Sequence, residues 1–401
     1  GVERVRVTVE RMVVGGDGLG READGRVVFV RGAIVGETVD VEVVERRRDF
    51  ARAEVSRVVE PSPWRVEPPC AAWHNGCGGC DWQHVDSAAQ LGLKVDIVRE
   101  ALARTAHLPD AEVVAAGSVA SWGYRTTVRL AGRADGRVGF RGRRSRGVIA
   151  IDECMVAADP INAALAAGRI DGRRALRRDV LARVGTDDDR VALHAIDAQR
   201  DQPSLRATSH VTRGRGRGGV VVNEVAGARL RVSADSFFQS SAAAAELLVA
   251  AVERCCADLD LATATVVDAY GGVGLFGATV GRDAPRLIVV ESSPSSSADA
   301  RLNLGDRAGV QIVQSTVERW TPQPADLVIA DPARSGLGRE AAAVLAATQT
   351  PRLVLVSCDV GSLTRDVRLL TDLGYEHRGT QVLDLFPNTS HVEAVTRFDR
   401  A

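Results

Sequence analysis

From about residue 244 to its end the chain repeats one rhythm, in which short β-rich runs alternate with helical segments. AAAAELLVAAVERCC reads as a helix, and TATVVDAY, RLIVVE, VQIVQ, ADLVIADP, RLVLVSC and HVEAVTRF read as strands. That alternation predicts an α/β fold built on a doubly wound, largely parallel sheet. Ligands of such sheets sit beyond the carboxyl ends of the strands, so chemistry is to be sought where the runs stop.

The preceding residues have other periods. Residues 1–60 alternate in the two-residue period of half-buried strands (RVRVTVERM, GRVVFV, ETVDVEVVERR), with GGDGLG as the turn between the first two, and predict a small β-barrel. The Pro-rich stretch PSPWRVEPP at 61–69 closes that module. Leu91, Val95, Val98 and Leu102 recur at helical spacing and predict one helix over 83–114 that packs on the C-terminal domain. Residues 122–232 mix strand-like TTVRLA and RVGFRG with an alanine-rich helix near 160–168, as in a central α+β domain. A division into 1–60, 61–232 and 233–401 follows, and 401 residues suffice for two or three cores.

Gly1 to Glu10 alternate charge with valine, and no run approaches the ~20 apolar residues of a membrane span. A cytoplasmic protein without a membrane partner is expected. The net charge of −1 hides arginine clusters at 46–48, 141–146, 173–178 and 213–217, which could track phosphates. Lys94 is the only lysine, so arginine also serves every ordinary solvated position. VTRGRGRGGVVV around Arg213 reads equally as an RNA-contacting loop or a hairpin tip.

Seven cysteines in a reducing compartment argue against a disulfide framework. Cys70, Cys77 and Cys80 fall in CAAWHNGCGGC, and Cys154 follows in DEC. Four thiolates, two of them spaced C-x2-C, close around a zinc ion or a cubane iron–sulfur cluster. Gly76, Gly78 and Gly79 would let the backbone wrap such a centre. Cys255 and Cys256 lie in an apolar helix and read as core.

VVDAYGGVGLFG, residues 266–277, runs from strand through a glycine-rich turn into a helix. It lacks the full G-x-G-x-x-G fingerprint, yet Gly271, Gly272 and Gly274 would admit a ligand close to the backbone. Glu291 ends the next strand, 23 residues after Asp268, where a carboxylate accepts ribose hydroxyls; a nucleoside site is the better reading. Asp331, Cys358 and Glu393 stand at three further strand ends. Cys358 precedes the possible helix SLTRDVRLL, whose N-terminus would favour its thiolate. A buried structural cysteine is the plain alternative.

With GGDGLG, CGGCDWQH, Tyr124–Arg125, VGFRGRRS, SFFQ, DAYGGVG, DPARSGL, SCDVGSLTRD and FPNTSHVE in this order, nearly the whole chain resembles the uracil-5 RNA methyltransferase family. The resemblance implies an N-terminal TRAM-like barrel, a central domain with an iron–sulfur loop and a C-terminal Rossmann-like domain for S-adenosylmethionine. It implies that Cys70, Cys77, Cys80 and Cys154 hold a [4Fe–4S] cluster, that Gln239, Tyr270, Gly272, Gly274, Glu291 and Asp331 line the methyl-donor and uracil pocket, and that Cys358 is the nucleophile and Glu393 the base. The chemistry suits those residues. Carbon 5 of uracil is a poor nucleophile until a thiolate adds to carbon 6, and a carboxylate must then remove the carbon-5 proton. The implied partner is structured RNA, ribosomal before transfer by analogy, with its uridine flipped out of the stack; the oligomeric state leaves no mark in the sequence.

The chain departs from the family pattern at Gly271, often cysteine there, at Ala333, usually proline, and at Asp359–Val360, usually asparagine–proline. Its first cysteine gap is one residue longer. Two other classes compete: an iron–sulfur nucleotide-binding redox protein, which wants a flavin or nicotinamide fingerprint, and a catalytically silent RNA-binding protein of the same fold.

Overall fold

The computed structural model describes residues 3–143, 145–173, 178–197, 219–305 and 307–401. Strands β1 (Arg4–Met12), β2 (Gly18–Arg21), β3 (Val27–Arg31), β4 (Thr38–Arg46) and β5 (Phe50–Glu60) close a barrel in the order β1-β2-β3-β5-β4. Alternate valines, among them Val7, Val9, Val28, Val30, Val39 and Val41, fill its interior, as the two-residue period requires. β2 begins inside GGDGLG, which the sequence presents as a turn. A Cβ on Gly18 would come within 2.6 Å of Val9, so glycine is what lets β2 approach β1.

The short helix α1 (Ala71–His74) and α2 (Ser87–Thr105) follow, then β6 (Val113–Ser118). The helix expected over 83–114 is therefore shorter at both ends. Asp86 caps its start by accepting from the Ala88 amide at 2.9 Å, and His107 at φ 60° with Pro109 beyond it ends the turn. The central sheet comprises β7 (Thr127–Gly132), β8 (Val138–Arg141), β9 (Val148–Ala150), β10 (Arg178–Arg183) and β11 (Ala192–Asp197), in the order β11-β10-β7-β8-β9. Helix α3 (Asp159–Ala166) buries Ile161 and Ala164 against it. Strands β12 (Val220–Val225) and β13 (Ala228–Ser233) form a hairpin.

The remaining elements are α4 (Ala242–Cys256), β14 (Thr265–Ala269), α5 (Leu275–Ala278), β15 (Arg286–Glu291), α6 (Pro294–Leu304), β16 (Val310–Gln314), β17 (Leu327–Ala330), α7 (Gly338–Ala346), β18 (Arg352–Ser357), α8 (Val360–Asp372), β19 (Tyr375–Asp384) and β20 (Glu393–Arg400). They build an eight-stranded sheet ordered β16-β15-β14-β17-β18-β20-β19-β6. β14 to β18 are parallel, whereas β20 runs antiparallel between β18 and β19. The chain leaves β14 toward β15 and later returns to β17 on its other side, which makes the β14/β17 crevice the topological switch point. Because β20 is reversed, its first residue stands at the edge where the parallel strands end. α2 and β6 pack into this layer, and Val221, Leu230 and Val232 of the hairpin share a core with α4 and β14, so a continuous core crosses the division expected at residue 233.

Among the described residues no helix is long and apolar enough to cross a membrane. Two of the arginine clusters are largely engaged within the protein. Arg46 pairs with Glu3 and Glu22, Arg47 with Glu45, and Arg141 with Asp179, while Arg143 stacks 4.1 Å over Trp73. The stretches 174–177 and 198–218, with Arg213, lie outside the described residues.

Candidate active site

After β14 the backbone enters the left-handed region at Tyr270 (φ 61°), Gly272 (56°) and Gly274 (89°) before α5 begins. For a tyrosine that conformation costs roughly 1–3 kcal/mol, and two carboxylates hold the turn against it. Buried Asp268 accepts from the Gly277 amide at 3.0 Å; Glu291, at the end of β15, accepts from the amides of Gly272 at 2.9 Å and Ser293 at 2.5 Å. A Cβ on Gly271 would lie 2.5 Å from Val289, whereas one on Gly272 would meet nothing within 4 Å. The Gly272 peptide thus faces open space that a ligand can fill, and each Glu291 oxygen keeps a lone pair for a hydroxyl.

Asp331 follows β17 at the switch point. Its amide donates to Ala269 O at 3.3 Å, and Gln239 Nε2 lies 3.4 Å from its Oδ2. Burial pushes both Asp268 and Asp331 up to about 7. The Tyr270 hydroxyl is buried and has no hydrogen-bond partner among the described residues, which marks a place for one on a ligand.

Cys358 follows β18 directly. Ser357 pairs with Ala394 across β18 and β20, so one step further along the antiparallel register Cys358 and Glu393 oppose each other. Burial and the neighbouring carboxylates of Glu393 and Asp331 push the Cys358 thiol up to about 12, with Arg334 opposing them. Glu393 is only 4% exposed, and burial, then Asp331, raise its carboxyl well above the usual range. The helix-favoured thiolate expected from the sequence is therefore not what the fold provides. Asp359 caps α8, accepting from the Ser362 amide at 2.7 Å, and so occupies one of the N-terminal donors that a thiolate could have used. Alkylation of Cys358 in the ligand-free protein, followed on its own peptide by mass spectrometry, should be slow at pH 7 and rise about tenfold per pH unit toward about 12. A rate already on a plateau at neutral pH would contradict this environment.

Cys70, Cys77, Cys80 and Cys154 line one cavity of about 240 Å³ with Gln83, Arg125 and His391. Gly79 N lies 3.4 Å from Cys77 Sγ, and a Cβ on Gly78 would lie 2.7 Å from Arg141 O, so glycine lets the cysteine loop lean on β8. Asn162 of α3 fixes Cys154 by bonding its amide at 2.9 Å and its carbonyl at 3.1 Å. Among the described residues no three His, Cys, Asp or Glu side chains converge on a single ion position. Cys255 and Cys256 end α4 and are buried in the core.

A family model for the TRAM domain matches residues 2–56. Over its full length the chain is 36% identical to an uncharacterized RNA methyltransferase of Streptomyces coelicolor, covering 93% of that protein. It is 30% identical to the 23S rRNA (uracil(1939)-C(5))-methyltransferase RlmD of Shewanella amazonensis, with 99% of this chain and 96% of the relative covered. The chain belongs to the RNA uracil-C5 methyltransferase family. The solved tRNA (uracil-54, C5)-methyltransferase of Pyrococcus abyssi, in complex with S-adenosyl-L-homocysteine, shares the fold at a TM-score of 0.71 and 24% identity, over 98% of this chain and 100% of that one.

The places where this methyltransferase departs from the family pattern have local reasons. Gly271 has no room for a side chain against Val289. Asp359 caps α8 as asparagine would, and Val360, where proline is usual, buries its side chain at the first helical position. Ala333 is exposed. Sequence reasoning missed Arg334, three residues beyond Asp331 in a quoted motif, whose charge acts on both Cys358 and Glu393. It also missed that Arg125 and His391 border the cysteine cavity, which their sequence separation conceals.

Proposed function

We propose that this methyltransferase moves the methyl group of S-adenosylmethionine to carbon 5 of a uridine flipped out of structured RNA, ribosomal before transfer. The observation that carries the reading is the pairing of Ser357 with Ala394, which sets Cys358 and Glu393 beside each other at the edge where the glycine-rich turn, Glu291 and Asp331 also lie. Gln239, Tyr270, Gly272, Gly274, Glu291 and Asp331 form the donor pocket, and the donor supplies an electrophilic methyl on a sulfonium.

Cys358 passes its proton to water and forms a bond from sulfur to uracil carbon 6, which turns the ring into an enolate. Carbon 5 takes the methyl group as its bond to the donor sulfur breaks. Glu393 then removes the hydrogen from carbon 5, the carbon 5–carbon 6 double bond returns, and the Cys358 sulfur leaves as thiolate. The burial that raises the Glu393 carboxyl makes its ionised form a stronger base. A labelled methyl donor, total RNA lacking 5-methyluridine and nucleoside analysis test this directly. Label in 5-methyluridine, sorted by RNA size, is expected; label in any other nucleoside would refute it.

Cys70, Cys77, Cys80 and Cys154 would hold a [4Fe–4S] cluster. A lone zinc ion would draw four sulfurs to roughly 3.8 Å of one another, whereas these thiols surround a cavity, with an amide directed at one sulfur. The cluster would brace the central sheet near the active-site loop, since methyl transfer needs no net electron. Anaerobically purified protein is expected to be coloured and to contain iron and sulfide in equal amounts; colourless, zinc-loaded protein would overturn the assignment.

A further inference from the structure

Residues 385–392 join β19 to β20 and deliver Glu393, and α2 grips this loop. Gln90 and Lys94 lie one turn apart on one helix face, and both are completely buried. Lys94 Nζ lies 2.7 Å from Asp384 Oδ1, at the root of the loop, and 3.3 Å from Phe386 O. Gln90 Oε1 accepts from the Asn388 amide at 2.7 Å, and Asn388 holds φ 65°. Trp82 N donates to Asn388 O at 3.0 Å, and the Trp82 indole donates to Gly16 O of the barrel at 3.1 Å. Barrel, cysteine segment and α2 therefore meet on the peptide that carries the base.

Of the 51 basic side chains, Lys94 is the one lysine. A solvated position here takes arginine, so lysine marks a need for a compact ammonium where a planar guanidinium would not fit. Stability is a weak reason for the pair, because a buried ion pair is often no better than apolar packing of the same volume.

We propose that Lys94 is a positioning residue for proton abstraction, fixing Asp384 and Phe386 so that the Glu393 carboxylate is held over carbon 5. This rests on the roles given to Cys358 and Glu393 above. The test uses the full chain as Lys94→Arg, which keeps the charge but not the shape, and as Lys94→Met/Asp384→Asn, which leaves no buried charge unpaired. In both, donor binding by calorimetry and formation of the RNA adduct on Cys358 should stay within about twofold of the parent. Release of methylated RNA should slow on the order of 10²-fold, as for a small misplacement of a reacting group, so that a slow-migrating covalent species accumulates on denaturing gels. Release at the parental rate, or an equal fall in adduct formation and release, would overturn the positioning role. Glu393→Gln run in parallel separates the two levels: no adduct there would unseat the mechanism itself, whereas adduct there and none in the Lys94 variants would unseat only the role of Lys94.

Discussion

Cys358→Ala is expected to bind S-adenosylmethionine as the parent does and to lose methyl transfer by at least about four orders of magnitude. The two properties separate because of where the strands end. The glycine-rich turn follows β14, whereas Cys358 follows β18, with β17 between them. Without a thiol, carbon 5 has no route to an enolate, and no other cysteine reaches the site: Cys255 and Cys256 are buried at the end of α4, and the remaining four line the separate cavity. Calorimetry with the donor and a single-turnover methylation assay check both halves. Transfer surviving within tenfold of the parent would remove Cys358 from the mechanism.

Glu393→Gln keeps the shape and removes the carboxylate proposed as the base. Addition and methyl transfer are expected to proceed while the carbon-5 proton stays, leaving the RNA attached to Cys358. Release should slow on the order of 10²–10⁴-fold, the usual worth of a general base. A denaturing gel should show a methylated RNA–protein species that the parent lacks, and its absence would count against the assignment. The same variant carries a stability signature. The folded Glu393 carboxyl titrates well above its unfolded value, so the native state binds the extra proton and the parent loses stability as pH rises from about 4.3. Relative to the parent, Glu393→Gln should gain thermal stability through that rise and then hold the gain above the folded titration. A difference that is flat with pH would contradict the raised carboxyl.

What the sequence disclosed and what it hid follow from the same physics. β17 and β18 are buried along their length, and β14 beyond Thr265, so they read as largely aliphatic runs. β19, whose residues 376–381 are polar apart from Gly379, did not stand out. The helix expected over 83–114 overran because Val113 and Val114 prolong an apolar pattern, although His107 and Pro109 already end it. The candidates Glu291, Asp331, Cys358 and Glu393 could be picked out because each stands at a strand end. Their electrostatics could not, since the opposition of Cys358 and Glu393 arises from the reversal of β20 and the cap on α8 from Asp359. The link from α2 to the Glu393 loop spans 290 residues in the Lys94–Asp384 pair and leaves no local pattern.

The most direct test of the account is a double label, with tritium at carbon 5 of the uridines in a substrate RNA and carbon-14 in the methyl donor. Methyl transfer to carbon 5 predicts one tritium released to water for each labelled methyl incorporated in the parent, and methyl incorporation without matching release in Glu393→Gln. Methyl incorporation by the parent with the tritium fully retained would place the transfer on another atom and contradict the account.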